Sequence, residues 1–200
     1  TKKLNTPLNT EKIERTQNLP TIKGQTFANK IEYLNALKKV VHSLQLFDTS
    51  ITTKKLDVHA IVKLITANFD LTIKQSIVNS MEINTVYYRL PIGYVYKELR
   101  IEDIEELMTI FGETLQVKYD VLNAPKAVYK ILRTNANTAW KIKEYNPAEN
   151  HYLYLNNGIF NLQNKEFYKT NSKKFNEIVE KYQFFNQLDF DFLKESMDAS

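Results

Sequence analysis

Two extended apolar runs meet at Asn157-Gly158: Tyr152-Leu153-Tyr154-Leu155 stands before the pair and Ile159-Phe160 after it. Asn and Gly tolerate the positive φ of a tight hairpin turn, and Asn-Gly between hydrophobic runs is the strongest short-range hairpin signal. The dipeptide predicts a two-residue type I′ turn with Asn157 and Gly158 at its centre. Any fold of this chain must therefore contain a β unit near its C-terminal end.

The rest of the chain reads as mainly helical, which makes the expected class α+β with small antiparallel hairpins. Residues 1–25 are polar, carry Lys2, Lys3, Lys12, Arg15 and Lys23, and lack a repeating apolar face. They are expected to form a basic arm or linker, either a solvated tail or a contact for phosphates. Thr26 can cap a helix that runs to about Phe47, with Phe27, Ile31, Leu34, Val41 and Leu44 near helical spacing. Asp57 can cap a second helix with Val58, Ile61, Val62 and Ile65 inward. Thr72 can cap a third, reaching Met81 and burying Ile73, Ile77 and Val78. Two β-prone runs follow, Val86–Leu90 and Tyr94–Lys97, separated by a turn at Pro91-Ile92-Gly93.

Helix, short strand (Ile51–Thr53), helix, helix and hairpin is the order of a winged-helix DNA-binding domain, whose third helix enters the major groove. In that arrangement Lys74, Gln75 and Asn79 face the bases and the wing offers Arg89, Tyr94, Tyr96 and Lys97. Gln and Asn suit adenine, and Lys suits guanine or phosphate. The competing reading is a small α+β core over residues 26–99 that has this order for other reasons. No glycine marks the turn between the second and third helices, which counts against the winged helix.

Residues 100–200 are expected to form a second α+β domain. Ile101–Phe111 is a helical run whose carboxylates, Glu102, Asp103, Glu105 and Glu106, read as a solvated face. Ala124-Pro125 starts a further helix, with Val128, Ile131 and Leu132 inward and Lys126, Lys130 and Arg133 outward. Lys141 and Lys143 extend this basic patch, with Trp140 and Tyr145 interleaved. Basic residues mixed with aromatics can track a single strand and stack its bases. The plainer reading is an exposed helix face with Trp140 buried.

The stretch from Asn157 to Phe167 resembles the segment just ahead of the AAA+ helicase module in primase-helicases of phages, plasmids, genomic islands and poxviruses. Asn157, Gly158, Leu162, Glu166 and Phe167 match its pattern. Asn161 stands where Asp is usual, and Asn164-Lys165 where Thr-Gly is usual. Asn186-Gln187-Leu188-Asp189-Phe190-Asp191-Phe192 is similar to the motif that follows in that family, and Ala127–Trp140 to its preceding helix. The resemblance covers residues 100–192. It implies that a downstream module hydrolyses ATP with Mg²⁺ and translocates on DNA, and that the parent protein assembles as a ring. A primase domain precedes that module in some relatives.

The chain opens at Thr and closes on the polar Met197–Ser200, and is read as a piece of a longer protein. It has no G-x-x-x-x-G-K-[ST] loop and only four glycines, so no nucleotide site and no catalytic residue is expected in this segment. His42, His59 and His151 lack metal-ligand spacing, and no metal site is expected. Cysteine is absent, which fits a cytoplasmic protein. No apolar run approaches the ~20 residues of a membrane span. A net charge of +4 is compatible with nucleic acid. Three functions stay open. The first is the N-terminal, non-catalytic part of a mobile-element replicative helicase, binding DNA and supporting ring assembly. The second is a stand-alone winged-helix initiator or repressor. The third is a module that docks host replication proteins.

Overall fold

The computed structural model describes residues 20–44, 55–56, 58–116, 118–119, 124–134 and 142–193. These form an α+β fold of five helices, two three-stranded antiparallel sheets and one two-stranded parallel pair. Within the expected arm, residues 20–25 are part of the fold. Ile22 is fully buried, and Lys23 Nζ donates to the Thr66 carbonyl at 3.1 Å. Helix α1 spans Lys30–Leu44. Its cap is Asn29 rather than Thr26: Asn29 Oδ1 accepts from Glu32 N at 3.0 Å while the Glu32 carboxylate accepts from Ala28 N at 3.2 Å. The pair satisfies the Glu32 amide that the first turn leaves free and the Ala28 amide just ahead of the cap. The buried stripe is Tyr33, Leu37 and Val41, and Ile31 is 72% exposed rather than inward.

Helix α2, Val58–Asn68, buries Ile61, Val62 and Ile65 as its periodicity requires; the expected cap Asp57 and the expected strand at Ile51–Thr53 lie outside the described residues. Helix α3, Ile101–Leu115, buries Ile104, Leu107, Met108 and Phe111 and keeps Glu102, Glu105 and Glu106 on its exposed side. Helix α4, Ala124–Thr134, buries Val128 and Leu132 and exposes Lys126, Lys130 and Arg133. Strands β1 (Lys55–Leu56) and β5 (Lys118–Tyr119) form the short parallel pair.

The largest departure from expectation is at residues 71–89. The stretch read as a third helix is strand β2, Leu71–Val78, paired in full register with β3, Met81–Arg89, from Leu71↔Tyr88 to Val78↔Met81. Thr72, Ile73, Ile77 and Val78 are β-branched and fit a pleated ribbon better than a helix. Asn79 and Ser80 supply the two positive φ values, 50° and 63°, of a two-residue hairpin turn. The winged-helix order therefore has no helix at its third position. Strand β4, Tyr96–Glu98, adds to β3 through Arg89↔Tyr96, Tyr88↔Lys97 and Tyr87↔Glu98, as expected of a hairpin turning at Pro91–Gly93.

Strands β6 (Tyr152–Leu155), β7 (Gly158–Asn161) and β8 (Glu166–Lys169) make the second sheet in the order β6-β7-β8. The hairpin is real but its turn is one residue earlier than read. Leu155 pairs with Gly158, so Asn156 and Asn157 are the turn and Gly158 is the first residue of β7. Neither Asn157 nor Gly158 has positive φ. Glycine is needed at 158 for another reason. A Cβ there would lie 2.3 Å from the Tyr168 carbonyl oxygen and 2.6 Å from Phe167 Cζ. Helix α5, Lys173–Lys181, is capped by Ser172 Oγ accepting from Phe175 N at 3.2 Å.

Two buried clusters organise the molecule. The first joins α1 to α4 with the inner face of β2 and β3. The second joins Tyr154, Ile159, Phe175, Ile178 and Phe184. Helices α3 and α4 belong to the first cluster, so that cluster draws on residues from both sides of position 100. Tyr94 and Val95, in the loop from β3 to β4, pack into the second cluster instead. No helix among the described residues is long and apolar enough to cross a membrane.

Candidate nucleic-acid interface

Alternation along a strand sends successive side chains to opposite faces of a sheet. In the β2-β3-β4 sheet Leu71, Ile73, Val86 and Tyr88 point inward to the helices. Thr72, Lys74, Thr85 and Tyr87 share the outer face through the pairs Thr72↔Tyr87 and Lys74↔Thr85. The outer face is covered at one end only. Residues 142–147 run beside β2, with Lys143 N donating to the Leu71 carbonyl at 3.0 Å, and Phe184 O accepts from Tyr96 N at 2.8 Å.

An aromatic patch forms where these segments meet. Phe185 lies edge-on to Tyr87 with ring centroids 5.1 Å apart, and 5.5 Å from Tyr145; Tyr87 and Tyr145 are 6.5 Å apart. All three rings are half-buried. Lys74 Nζ sits 5.9 Å from the Tyr145 ring centroid. Beside the patch an open cleft of about 610 Å³ of mixed charge is lined by Tyr96, Lys143, Glu144, Tyr145, Glu180 and Lys181, among others. Burial pushes the Tyr96 hydroxyl well above the usual tyrosine range, and the Asp70 charge adds to that. It stays a neutral phenol at any working pH.

Asp70 anchors the covered end of this surface. It is buried, its Oδ2 accepts from Arg89 Nη2 and Nε at 3.0 and 3.2 Å, and its Oδ1 lies 3.3 Å from Lys143 Nζ. Burial alone would raise its carboxyl pKa. The Lys143 and Arg89 charges and their hydrogen bonds outweigh burial and hold it below the usual carboxylate range. Arg89 also donates to the Gly93 and Gln25 carbonyls at 2.7 and 3.2 Å.

The residues singled out from the sequence divide accordingly. Lys74 reaches the aromatic patch, while Lys143, bridged to Thr72 on the strand beside it, is ion-paired with Asp70. Gln75 is exposed on β2 and points to the opposite face from Lys74, while Asn79 is in the hairpin turn. Arg89 is not a surface contact: its guanidinium is enclosed by Asp70 and two carbonyls. Lys97 is 3.2 Å from Asp103 and 5.1 Å from the Tyr88 ring centroid, on the inner face. Lys126, Lys130 and Arg133 form a second basic surface on α4, which packs behind the sheet. Lys141 and Trp140 lie outside the described residues. Asn157 is held to Phe192: Asn157 Nδ2 donates to the Phe192 carbonyl and Phe192 N donates to Asn157 Oδ1, both at 2.9 Å, while Gly158 pairs with Lys169 in the sheet. Tyr87 and Phe185 were not singled out as ligands. The alternation in Val86-Tyr87-Tyr88-Arg89 would have placed Tyr87 opposite Tyr88, but nothing local brings Phe185 to it.

Among the described residues no group of three or more His, Asp or Glu side chains could hold a metal ion. Comparison of the chain with protein-family models, with curated proteins and with solved structures finds no match in any of the three.

Proposed function

We propose that this chain is a DNA-binding, non-catalytic part of a mobile-element replicative helicase or primase-helicase, which holds single-stranded DNA on the outer face of β2-β3-β4 and supports ring assembly as replication starts. The observation that carries the binding is Lys74 Nζ seated against the Tyr145 ring of the Tyr87–Tyr145–Phe185 patch. A cationic group beside half-exposed rings suits a flexible strand, because every base has a face to stack and every nucleotide a phosphate. The helicase assignment is supported by the sequence resemblance. The two segments that carry it lie side by side, joined by the Asn157–Phe192 hydrogen bonds and by Leu188 N donating to the Tyr154 carbonyl at 2.8 Å. In this reading the protein is cytoplasmic, ATP and Mg²⁺ act in a downstream module, self-association runs through the full-length ring, and host replication proteins are further partners.

The reading as a docking module for host replication proteins predicts no DNA affinity. The stand-alone initiator reading needs a groove-reading helix, and the hairpin occupies that position. Fluorescence anisotropy with a labelled oligonucleotide over a salt series separates these. Single-strand binding should weaken with salt, and Lys74→Glu should flatten the slope of log K against log salt by about 0.7, the share of one phosphate on a single strand. Absence of binding would leave the docking reading, and binding that ignores both salt and Lys74 would remove this sheet face as its site.

A further inference from the structure

The end of the β2–β3 hairpin is apolar and uncovered. Ile77 is 81% exposed, Met81 64%, Val78 48% and Ile83 39%. Large apolar side chains grouped this way on a surface mark a site of contact. Their arrangement follows from the register. Val78 pairs with Met81 and Ser76 with Ile83, so Val78, Met81 and Ile83 share the outer face with Lys74 and Tyr87. No charged residue occurs from Gln75 to Met81, and the nearest carboxylate, Glu82, pairs with Ile77 on the opposite face. One face of one ribbon therefore runs from a cationic, aromatic root to an apolar tip. The distance from Lys74 to Val78 is about 14 Å at the usual strand rise.

We propose that this hairpin is a wedge that enters a DNA duplex where it meets single strand, its tip displacing the terminal base pair while Lys74 and Tyr145 hold the freed strand. The proposal rests on the reading of the outer sheet face as a single-strand surface. Nucleic acid is the occupant that fits both ends of the ribbon. Lysine beside aromatic rings matches phosphate and base at the root, and inserted Ile and Met side chains unstack base steps in other proteins that open or kink DNA. A two-stranded ribbon is also of a width that DNA grooves admit. The continuity of the two surfaces on one face commits the tip to the same partner as the root.

The test uses forked DNA with 2-aminopurine in the last base pair of the duplex, whose fluorescence rises when it unstacks. The intact chain should raise the signal at the fork without ATP. The double variant Val78→Ser, Met81→Ser should lose that rise while keeping the affinity of the parent for single strand and its melting temperature, since both side chains are exposed. Lys74→Glu should lose affinity for both DNAs. Single-strand binding with no rise at the fork would overturn the wedge and leave the function standing. So would a double variant that still opens the fork. Absence of single-strand binding would overturn both. Sedimentation without DNA supplies a further check: a dimer that the tip substitutions convert to monomer would assign the tip to a second copy of the chain and overturn the proposal.

Discussion

Asn157 holds Phe192 by both polar groups of its backbone, accepting from the amide and donating to the carbonyl at 2.9 Å each. A side-chain amide here does the work of a neighbouring strand. It brings the Phe192 ring onto Phe167 and Phe160, with centroids 4.6 and 5.3 Å apart. Asn157→Ala should therefore destabilise the protein by about 1–3 kcal/mol, the range for leaving hydrogen-bonding groups without partners. Urea denaturation measures it, and an unchanged midpoint would show that the clamp contributes nothing.

Gly158→Ala should also destabilise, by about 1–3 kcal/mol, through overpacking. The cause is the carbonyl of Tyr168, 2.3 Å from the place of the new Cβ, and not a turn conformation. Gly158→Val should be worse than Gly158→Ala. If strain at positive φ were the cause, both would be explained by the backbone alone. Asn156→Gly separates the two ideas, because a turn free of positive φ gains nothing from glycine at that position.

Asp70→Asn should cost about 3–5 kcal/mol, because it removes the counter-charge from a buried guanidinium. The same pair sets an acid limit on stability. The folded pKa of Asp70 is below its unfolded value, so its contribution is present above about pH 4, the ordinary carboxylate range, and is lost as pH falls through the lowered folded pKa. Thermal melts from neutral to acid pH should show the parent losing stability in that window, and Asp70→Asn losing less.

Tyr145→Ala should weaken single-strand binding by about 1–3 kcal/mol, the usual loss for one stacked base, with little change in salt dependence. The triple variant Lys126→Glu, Lys130→Glu, Arg133→Glu tests the other basic surface. If the outer sheet face binds the strand, this variant should retain most of the affinity. Anisotropy titrations of the two variants at one salt concentration rank the surfaces directly.

Helices α3 and α4 were legible in the sequence because their apolar residues recur at helical spacing, and at α4 a Pro suits the first turn. Residues 72–81 were not, because Ile73, Ile77 and Val78 satisfy a helical stripe as well as a strand. The pair Asn79-Ser80, which decides in favour of a hairpin, is a weaker turn signal than Asn-Gly. The other hairpin was legible in existence but shifted by one residue, since Asn156-Asn157 turns as well as Asn157-Gly158. At the candidate site, Lys74, Lys143 and Tyr145 were visible as residue types. Their meeting was not, because it depends on strand pairing and on Phe185 arriving from a hundred residues away in sequence terms. Arg89 was read as a surface residue because only Asp70, reached by folding, makes its burial tolerable.

The loop between β3 and β4 leaves the first core, lays Tyr94 against Phe175 with centroids 5.1 Å apart, and returns to pair Tyr96 with Arg89. The second core is thus flanked by a loop whose two ends are anchored in the first sheet. Neither half retains a complete interior when the chain is severed, so the two should melt as a single cooperative unit, and a displacement imposed at the C-terminal sheet should be felt at the root of the β2–β3 hairpin without passing through a flexible tether.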